Sequence, residues 1–491
     1  MRWWMFILKM MKGGSKMQIS RKSKVEIQKK KRPLTSSILH NNIGVILIAI
    51  IISHFVFTEA AAQVGLNGRS MGMAGAYGCM ARGSEAVKWN PAVLGLPFKE
   101  DHRRMSRPHK YWPVAPLFSL DLASLGISIG NNSLNLDLYN EYFSRSYFDK
   151  NEIWDDPAKA EIMSAFDDDF FGFSNMQVTG MAFSYEKFAF SVSSFFYTNL
   201  KVPRNVLTAP LQGLGAAPLL IKNAEGEMIG GTEFAISTAK VLYEWDYFDY
   251  FCLGATFKYF LGHAYCKLKE AEGTVISNED TLSVNGSYEL LTALPFNDRG
   301  KGGDGVGLDL GAAAIVGERL TLGVALSNLV GSINFGEVEE QTGTINLNES
   351  GLNQDYFDNF GQYLDSIAVK TDTTYIAAEI IKYIMPKAVV LSANYRLLPY
   401  LTVEADYHQG LNNTAGGTTI PRLALGTEIS YIKFLPLRFG VAVGGLQGLT
   451  LAAGFGVKAG CFQMDFAAAG QSGLFNRSKG INFAVSPRIS F

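Results

Sequence analysis

Three ionisable side chains stand at alternate positions in LTVEADYHQG (Leu401–Gly410): Glu404, Asp406 and His408. Successive side chains of an extended chain point to opposite faces, so this spacing puts all three on one face. Two carboxylates beside an imidazole are the groups that general acid–base chemistry or cation binding needs. Asp309 and Asp465 hold comparable positions in two other alternating segments. Set against a catalytic role, no serine nucleophile motif is present, and the six histidines are scattered without a nucleophile partner. Cys79, Cys252, Cys266 and Cys461 are widely spaced, with no CxxC and no zinc pattern. Buried free thiols are expected, with one bridge as the alternative. GVGLDLG (Gly305–Gly311) and GFGVKAG (Gly454–Gly460) have nucleotide-loop glycine spacing, but neither opens a helix, so both read as strand glycines. No catalytic residue, metal site or cofactor is therefore assigned. The five ionisable residues are expected to be solvated side chains facing an interior.

The elements that position them are strands. In LTLAAGFGVK (Leu449–Lys458), large apolar residues alternate with Thr450, Ala452, Gly454, Gly456 and Lys458. CFQMDFAAA sets Phe462, Met464 and Phe466 against Gln463, Asp465 and Ala467. INFAVSPRISF sets Ile481, Phe483, Val485, Ile489 and Phe491 against Asn482, Ala484, Ser486, Arg488 and Ser490. Period-two alternation repeated in neighbouring segments is the mark of strands with two unlike faces. Similar segments recur upstream, and about 14 strands are expected, within a range of 12–16. A soluble β-sandwich also alternates. Here, however, one face is large and apolar while the other is small or polar, as a lipid-facing barrel requires. A closed barrel also leaves no unpaired sheet edge in lipid. The fold class read from these patterns is all-β, a transmembrane antiparallel β-barrel with an N-terminal plug in its lumen.

Composition agrees: 47% hydrophobic residues, 18% charged and 50 glycines in 491 residues. The net charge of −1 averages two unlike parts. Residues 1–62 hold 11 of the 44 Lys and Arg and 2 of the 45 Asp and Glu, which leaves −10 on the remainder. Nucleic acid is excluded as a partner, because its binders need a basic footprint. RKSKVEIQKKKR followed by IGVILIAIIISHFVF and TEAAAQ reads as a signal peptide over residues 1–62, cleaved before Gln63. The rival reading is a membrane anchor, for which the apolar run is short. Export places the protein in the outer membrane of a bacterium with two membranes. Stretches 137–169, 200–229 and 337–369 do not alternate and are expected to be long extracellular loops, the first with helical character.

GLNGRSMGMAGAYGCMARGSEAVKWNPAVLGL (Gly65–Leu96) resembles the N-terminal region of the FadL/TodX outer-membrane transport family and of related PorV-like barrels. The shared pieces are the glycine-rich Gly72–Ala76, a small polar linker, then Asn90-Pro91-Ala92 and an aliphatic residue. The resemblance implies a barrel of about 14 strands at 113–491 whose segment 63–112 folds into the lumen as a hatch. It implies passive uptake of hydrophobic or amphipathic molecules such as long-chain fatty acids, with lateral release when the hatch shifts. Gly72, Gly75, Trp89, Asn90, Pro91 and Ala92 would belong to that hatch, either gating it or only sealing the barrel. The terminal Phe491 resembles the aromatic signal read by the barrel-assembly machinery. A barrel that hands on secreted proteins, or one that is purely structural, is the alternative.

Overall fold

In the computed structural model the described residues are 60–61, 66–98, 111–148, 154–166, 168–212, 218–242, 248–278, 281–293, 302–336, 338–350, 372–378, 380–473 and 475–491. The signal-peptide reading falls almost wholly outside them.

Fourteen antiparallel strands close into a barrel, each paired with its sequence neighbour around the ring. They are β1 (Phe118–Asn131), β2 (Phe170–Tyr185), β3 (Phe188–Val202), β4 (Glu225–Leu242) and β5 (Tyr250–Asn278). Then come β6 (Gly303–Val316), β7 (Leu320–Ser327), β8 (Ala388–Leu398), β9 (Leu401–Gly410) and β10 (Arg422–Ile429). β11 (Leu437–Gly444), β12 (Thr450–Ala459), β13 (Phe462–Gln471) and β14 (Gly480–Ser490) complete the ring, and β14 pairs with β1 to close it. β7 resumes as Ser332–Phe335 after a break, and β8 is preceded by Ile381–Ile384.

Alternation decides the faces. Along β14, Ile481 is 62% exposed and Phe483 46%, while Asn482 is 3% exposed and Ala484 is fully buried. Leu423, Leu425, Phe439, Val443, Phe455 and Val457 are likewise exposed outward, where lipid would satisfy them. One end carries short turns. β2 and β3 are joined by Glu186–Lys187, and Gly460–Cys461 joins β12 to β13, with Gly460 at φ +63° where a side chain would be strained. By the usual rule for such barrels this is the periplasmic end.

The opposite end is elaborated. The far half of β5 forms a hairpin with Thr281–Ala293, which pairs with Val338–Ser350, itself paired with Asp372–Ala378. The 337–369 stretch thus enters as a strand rather than as a turn-rich loop, with 351–371 outside the described residues. The 137–169 stretch holds several short helices, the longest Asp156–Ser164, capped by Asp155, whose carboxylate accepts from the Ala158 amide at 2.9 Å. Helix Arg204–Gln212 lies in the 200–229 stretch. Leu138, Tyr142, Ile162, Phe166 and Leu211 bury their side chains together between these helices. Below them, Phe195, Tyr197, Ile229, Phe260, Tyr265, Ile333, Phe335 and Tyr383 pack as an apolar layer on the inward face of the upper wall.

Candidate functional site

Residues 66–98 lie inside the barrel. Asn67 opens the segment as a reciprocal cap of helix α1 (Gly68–Gly72). Its side chain accepts from the Ser70 amide at 2.8 Å, and Ser70 Oγ accepts from the Asn67 amide at 3.3 Å. A single turn, Ala86–Trp89, leads to Asn90, and Pro91 begins the tight turn Pro91–Gly95. Asn90 is extended, at φ −151°, as a residue before proline prefers. Its Oδ1 accepts from the Ala92 amide at 3.0 Å, and its Nδ2 donates to the Ala312 carbonyl of β6 at 3.1 Å. Trp89 meets Tyr77 edge-on at 5.5 Å and the His408 ring at 6.1 Å. Gly72 approaches Gly454 of β12, and the Gly75 carbonyl lies 3.2 Å from His408 Nε2. Pro91 and Ala92 are buried against β5 and β6.

The wall makes room with glycine. A Cβ on Gly254 would lie 2.3 Å from the Pro91 carbonyl carbon, and one on Gly311 would lie 2.1 Å from Asn90 Oδ1. Gly440 approaches Met73 in the same way, at 2.2 Å. The glycines of GVGLDLG and GFGVKAG lie on strands, as expected, apart from Gly460 in its turn; among them Gly311 and Gly454 give clearance to the chain inside.

The inward carboxylates are not solvated, contrary to expectation. Asp406 accepts from the amides of Tyr77 and Gly78 at 2.7 and 2.8 Å, and Glu404 from the Cys79 amide at 2.5 Å. Asn394 donates to the second Glu404 oxygen at 3.0 Å. Both carboxylates are fully buried. The strand pattern does not show this, because their partners are backbone amides of a segment more than 300 positions away. Asp309 binds Lys258 at 2.8 Å and accepts from the Asn328 amide at 2.7 Å. Asp465 accepts from Arg438 at 2.7 Å and from Gln463.

The Asp465–Arg438 pair belongs to a larger network that sequence reasoning missed. Arg69 reaches Glu85 at 3.0 Å and Glu428 at 3.4 Å. Arg438 binds Glu428 at 2.7 Å, and Arg488 binds Glu85 at 2.5 Å. Tyr77 donates to Glu85 at 2.7 Å, and Arg69 lies over the Tyr77 ring at 5.3 Å. The signal was legible for Arg438 and Arg488, since each is a charge on the small-residue face of an alternating strand. Burial alone would raise the pKa of Glu85, but Arg488 and Arg69 outweigh it and hold the carboxyl below its ordinary value. Lys88 has weaker support: burial pulls it down to about 8, and its described hydrogen bond runs to Thr179 Oγ1 at 2.7 Å.

Beside Lys88 the wall is irregular. On β1, pairing with β14 runs through Asp121, skips Leu122–Ser124 opposite Ser486 and Pro487, the latter with no N–H to give, and resumes at Leu125 opposite Val485. On β2 the register shifts between Thr179 and Met181. Ala123 (φ +50°) and Gly180 are thus two bulged residues side by side on adjacent strands. A small cavity of about 30 Å³ behind them is lined by Ser84, Lys88, Trp89, Asp121, Ser124 and Thr179. Among the described residues, no group of three or more His, Cys, Asp or Glu could hold a metal ion. All four cysteines are free, and Cys461 is exposed rather than buried.

A closed sheet, apolar outside and filled inside by its own chain, defines a membrane-spanning β-barrel of the outer-membrane type. The chain belongs to the family described as "Family of unknown function (DUF5723)", which it matches over residues 115–469. No curated protein matches it. It is similar to the solved toluene transporter TbuX of Ralstonia pickettii, with 12% identity, TM-score 0.46, and 87% of this chain and 98% of that one covered. It is also similar to a FadL homologue of Pseudomonas aeruginosa (12% identity, TM-score 0.45, coverage 88% and 100%). The toluene transporter TodX of P. putida is a third (11% identity, TM-score 0.43, coverage 87% and 99%).

Proposed function

We propose that the protein lets hydrophobic or amphipathic small molecules cross the outer membrane passively. Molecules enter over the apolar layer at the extracellular mouth and leave sideways through the wall, while segment 63–112 acts as the hatch. No covalent step and no cofactor is involved. The observation that carries the reading is the pair of bulges at Ala123 and Gly180, set directly behind the Lys88–Trp89 turn. A non-glycine residue at positive φ costs about 1–3 kcal/mol and is kept where the strain serves a purpose. A lumen filled by polar contacts is a poor straight path for an apolar molecule, whereas a ladder already interrupted on two adjacent strands needs few bonds broken to part. The glycine-rich and Asn90-Pro91-Ala92 motif points the same way.

The bulges offer a direct test. Inward residues Asp121 and Ser124 flank the outward pair Leu122–Ala123, and Thr179 and Ala182 flank Gly180–Met181. Deleting Ala123 and Gly180 together therefore restores strict alternation on both strands. Uptake of a lipophilic fluorescent probe by cells carrying this double deletion is expected to fall to the level of cells without the barrel, with heat-modifiable gel mobility unchanged. Uptake at the wild-type level would refute lateral release. Wild-type protein that retains no hydrophobic molecule by mass spectrometry, and instead recovers secreted proteins, would refute transport altogether.

A further inference from the structure

The periplasmic end holds a cavity of about 750 Å³ beneath the N-terminal segment. Six cations line it: Arg69 and Arg82 from the inner segment, and Lys187, Arg396, Lys458 and Arg488 from the wall and its turns. Only two carboxylates, Glu186 and Glu428, face the same space. Glu428 is already engaged by Arg438 and Arg69, and Arg488 is engaged by Glu85.

The other four cations have no carboxylate within 4.0 Å among the described residues. Arg82 donates to the Cys79 and Ala81 carbonyls at 2.5 and 2.6 Å, and Arg396 to the Trp112 carbonyl at 3.2 Å. The buried Nε atoms of Arg69 and Arg488, on side chains 9% and 7% exposed as residues, have no hydrogen-bond partner. Burial lowers the pKa of Arg82 to about 10; Glu404 opposes this, while Arg396 adds to it.

Buried guanidinium groups short of acceptors are stabilised by an anion that can take several donors at once. The mouth of the same cavity is apolar: Val114 is 51% exposed, Leu117 41% and Phe491 68%.

We infer that this vestibule binds a phosphate-bearing ligand, with the phosphate among Arg69, Arg82, Arg396 and Lys458 and any apolar part at the Val114, Leu117 and Phe491 rim. A phosphate held there bridges the inner segment to the wall and tightens the closed state. The phosphate can come from an anionic phospholipid of the inner leaflet or from a soluble phosphate. The site stands on the cavity and its charges, independently of whether the barrel transports hydrophobic cargo.

The test uses full-length purified barrel in a neutral detergent, titrated separately with phosphatidylglycerol, diacylglycerol and inorganic phosphate. Binding is read by native mass spectrometry and by the shift of the thermal unfolding midpoint. One bound phosphatidylglycerol with a raised midpoint, no retained diacylglycerol, and at least about tenfold weaker binding by Arg396→Gln/Lys458→Gln support a lipid phosphate. A raised midpoint with inorganic phosphate, lost in the same variant and not improved by the lipid, supports a soluble phosphate. The single variant Lys187→Gln, on an exposed turn, gives a smaller loss if the double variant is perturbed in folding. Equal retention of phosphatidylglycerol and diacylglycerol, or unchanged phosphate binding in both variants, would overturn the inference.

Discussion

A Gly254→Ala substitution places a methyl carbon where the Pro91–Ala92 backbone now runs. The added Cβ would stand 2.3 Å from the Pro91 carbonyl carbon, 2.4 Å from the Ala92 nitrogen and 2.6 Å from the Pro91 oxygen. Carbon contacts are comfortable at about 3.5–4.0 Å, so the inner turn must withdraw by roughly 1 Å, and no flexible side-chain end is there to give way. Overpacking of this kind costs about 1–3 kcal/mol. Withdrawal also strains the Asn90 bonds to the Ala92 amide and the Ala312 carbonyl, each worth about 0.5–1.5 kcal/mol. A total of roughly 2–6 kcal/mol shifts the ratio of seated to displaced segment by roughly 30- to 20,000-fold. The barrel ladder itself is untouched. The expected result is normal heat-modifiable mobility, faster limited proteolysis within residues 66–98, and higher ion conductance in planar bilayers. Gly226→Ala serves as the control, because its Cβ would meet nothing nearer than 3.5 Å. If Gly254→Ala matches that control in proteolysis and conductance, close packing against the wall does not hold the segment in place.

Three further outcomes follow from the polar contacts and the thiols. Glu85→Ala leaves Arg69 and Arg488 facing each other without the carboxylate they share; a loss of about 3–5 kcal/mol is expected, read as a lowered thermal midpoint. Lys88 is held below its ordinary value of 10.5, at about 8, so the seated segment binds fewer protons than the displaced one between those values. The penalty for burying the charged amine is full below pH 8 and is relieved as pH rises to about 10.5, so protease protection of residues 66–98 should increase across that window. Lys88→Met should flatten the slope, and an unchanged slope would assign it to another group. Finally, Cys461 is exposed at a short turn while Cys79 and Cys252 are buried. An impermeant maleimide should therefore label Cys461 only after the outer membrane is permeabilised, tested with the half-buried Cys266 replaced by Ser; labelling of Cys461 in intact cells would reverse the orientation.

Much of the architecture is legible in the chain because lipid imposes a simple rule. Each strand must show a large apolar face outward and a small or polar face inward. Phe455, Phe483 and Leu423 on one face, and Asp465, Arg488 and Glu404 on the other, obey it at period two. The strand number follows from counting such segments and the turns between them. Where local pattern is diluted, the reading stops: Val338–Ser350 (VEEQTGTINLNES) is a strand above the membrane plane, and lipid imposes no such pattern there.

The sequence by itself determined that the chain makes a lipid-facing barrel, which residues face inward, and that Asn90-Pro91 is a turn. Only the tertiary structure decided what the inward residues do. Asp406 looks like half of a catalytic or cation-binding pair along its strand, yet it accepts two backbone amides from Tyr77 and Gly78. The glycines at 254, 311 and 440 look like weak strand positions, yet they are the clearance for residues 73–92. The physical reason is range. Alternation is local and survives in a string of letters, whereas a hydrogen bond or a contact across the lumen joins positions hundreds of residues apart, which come together only when the barrel closes around them.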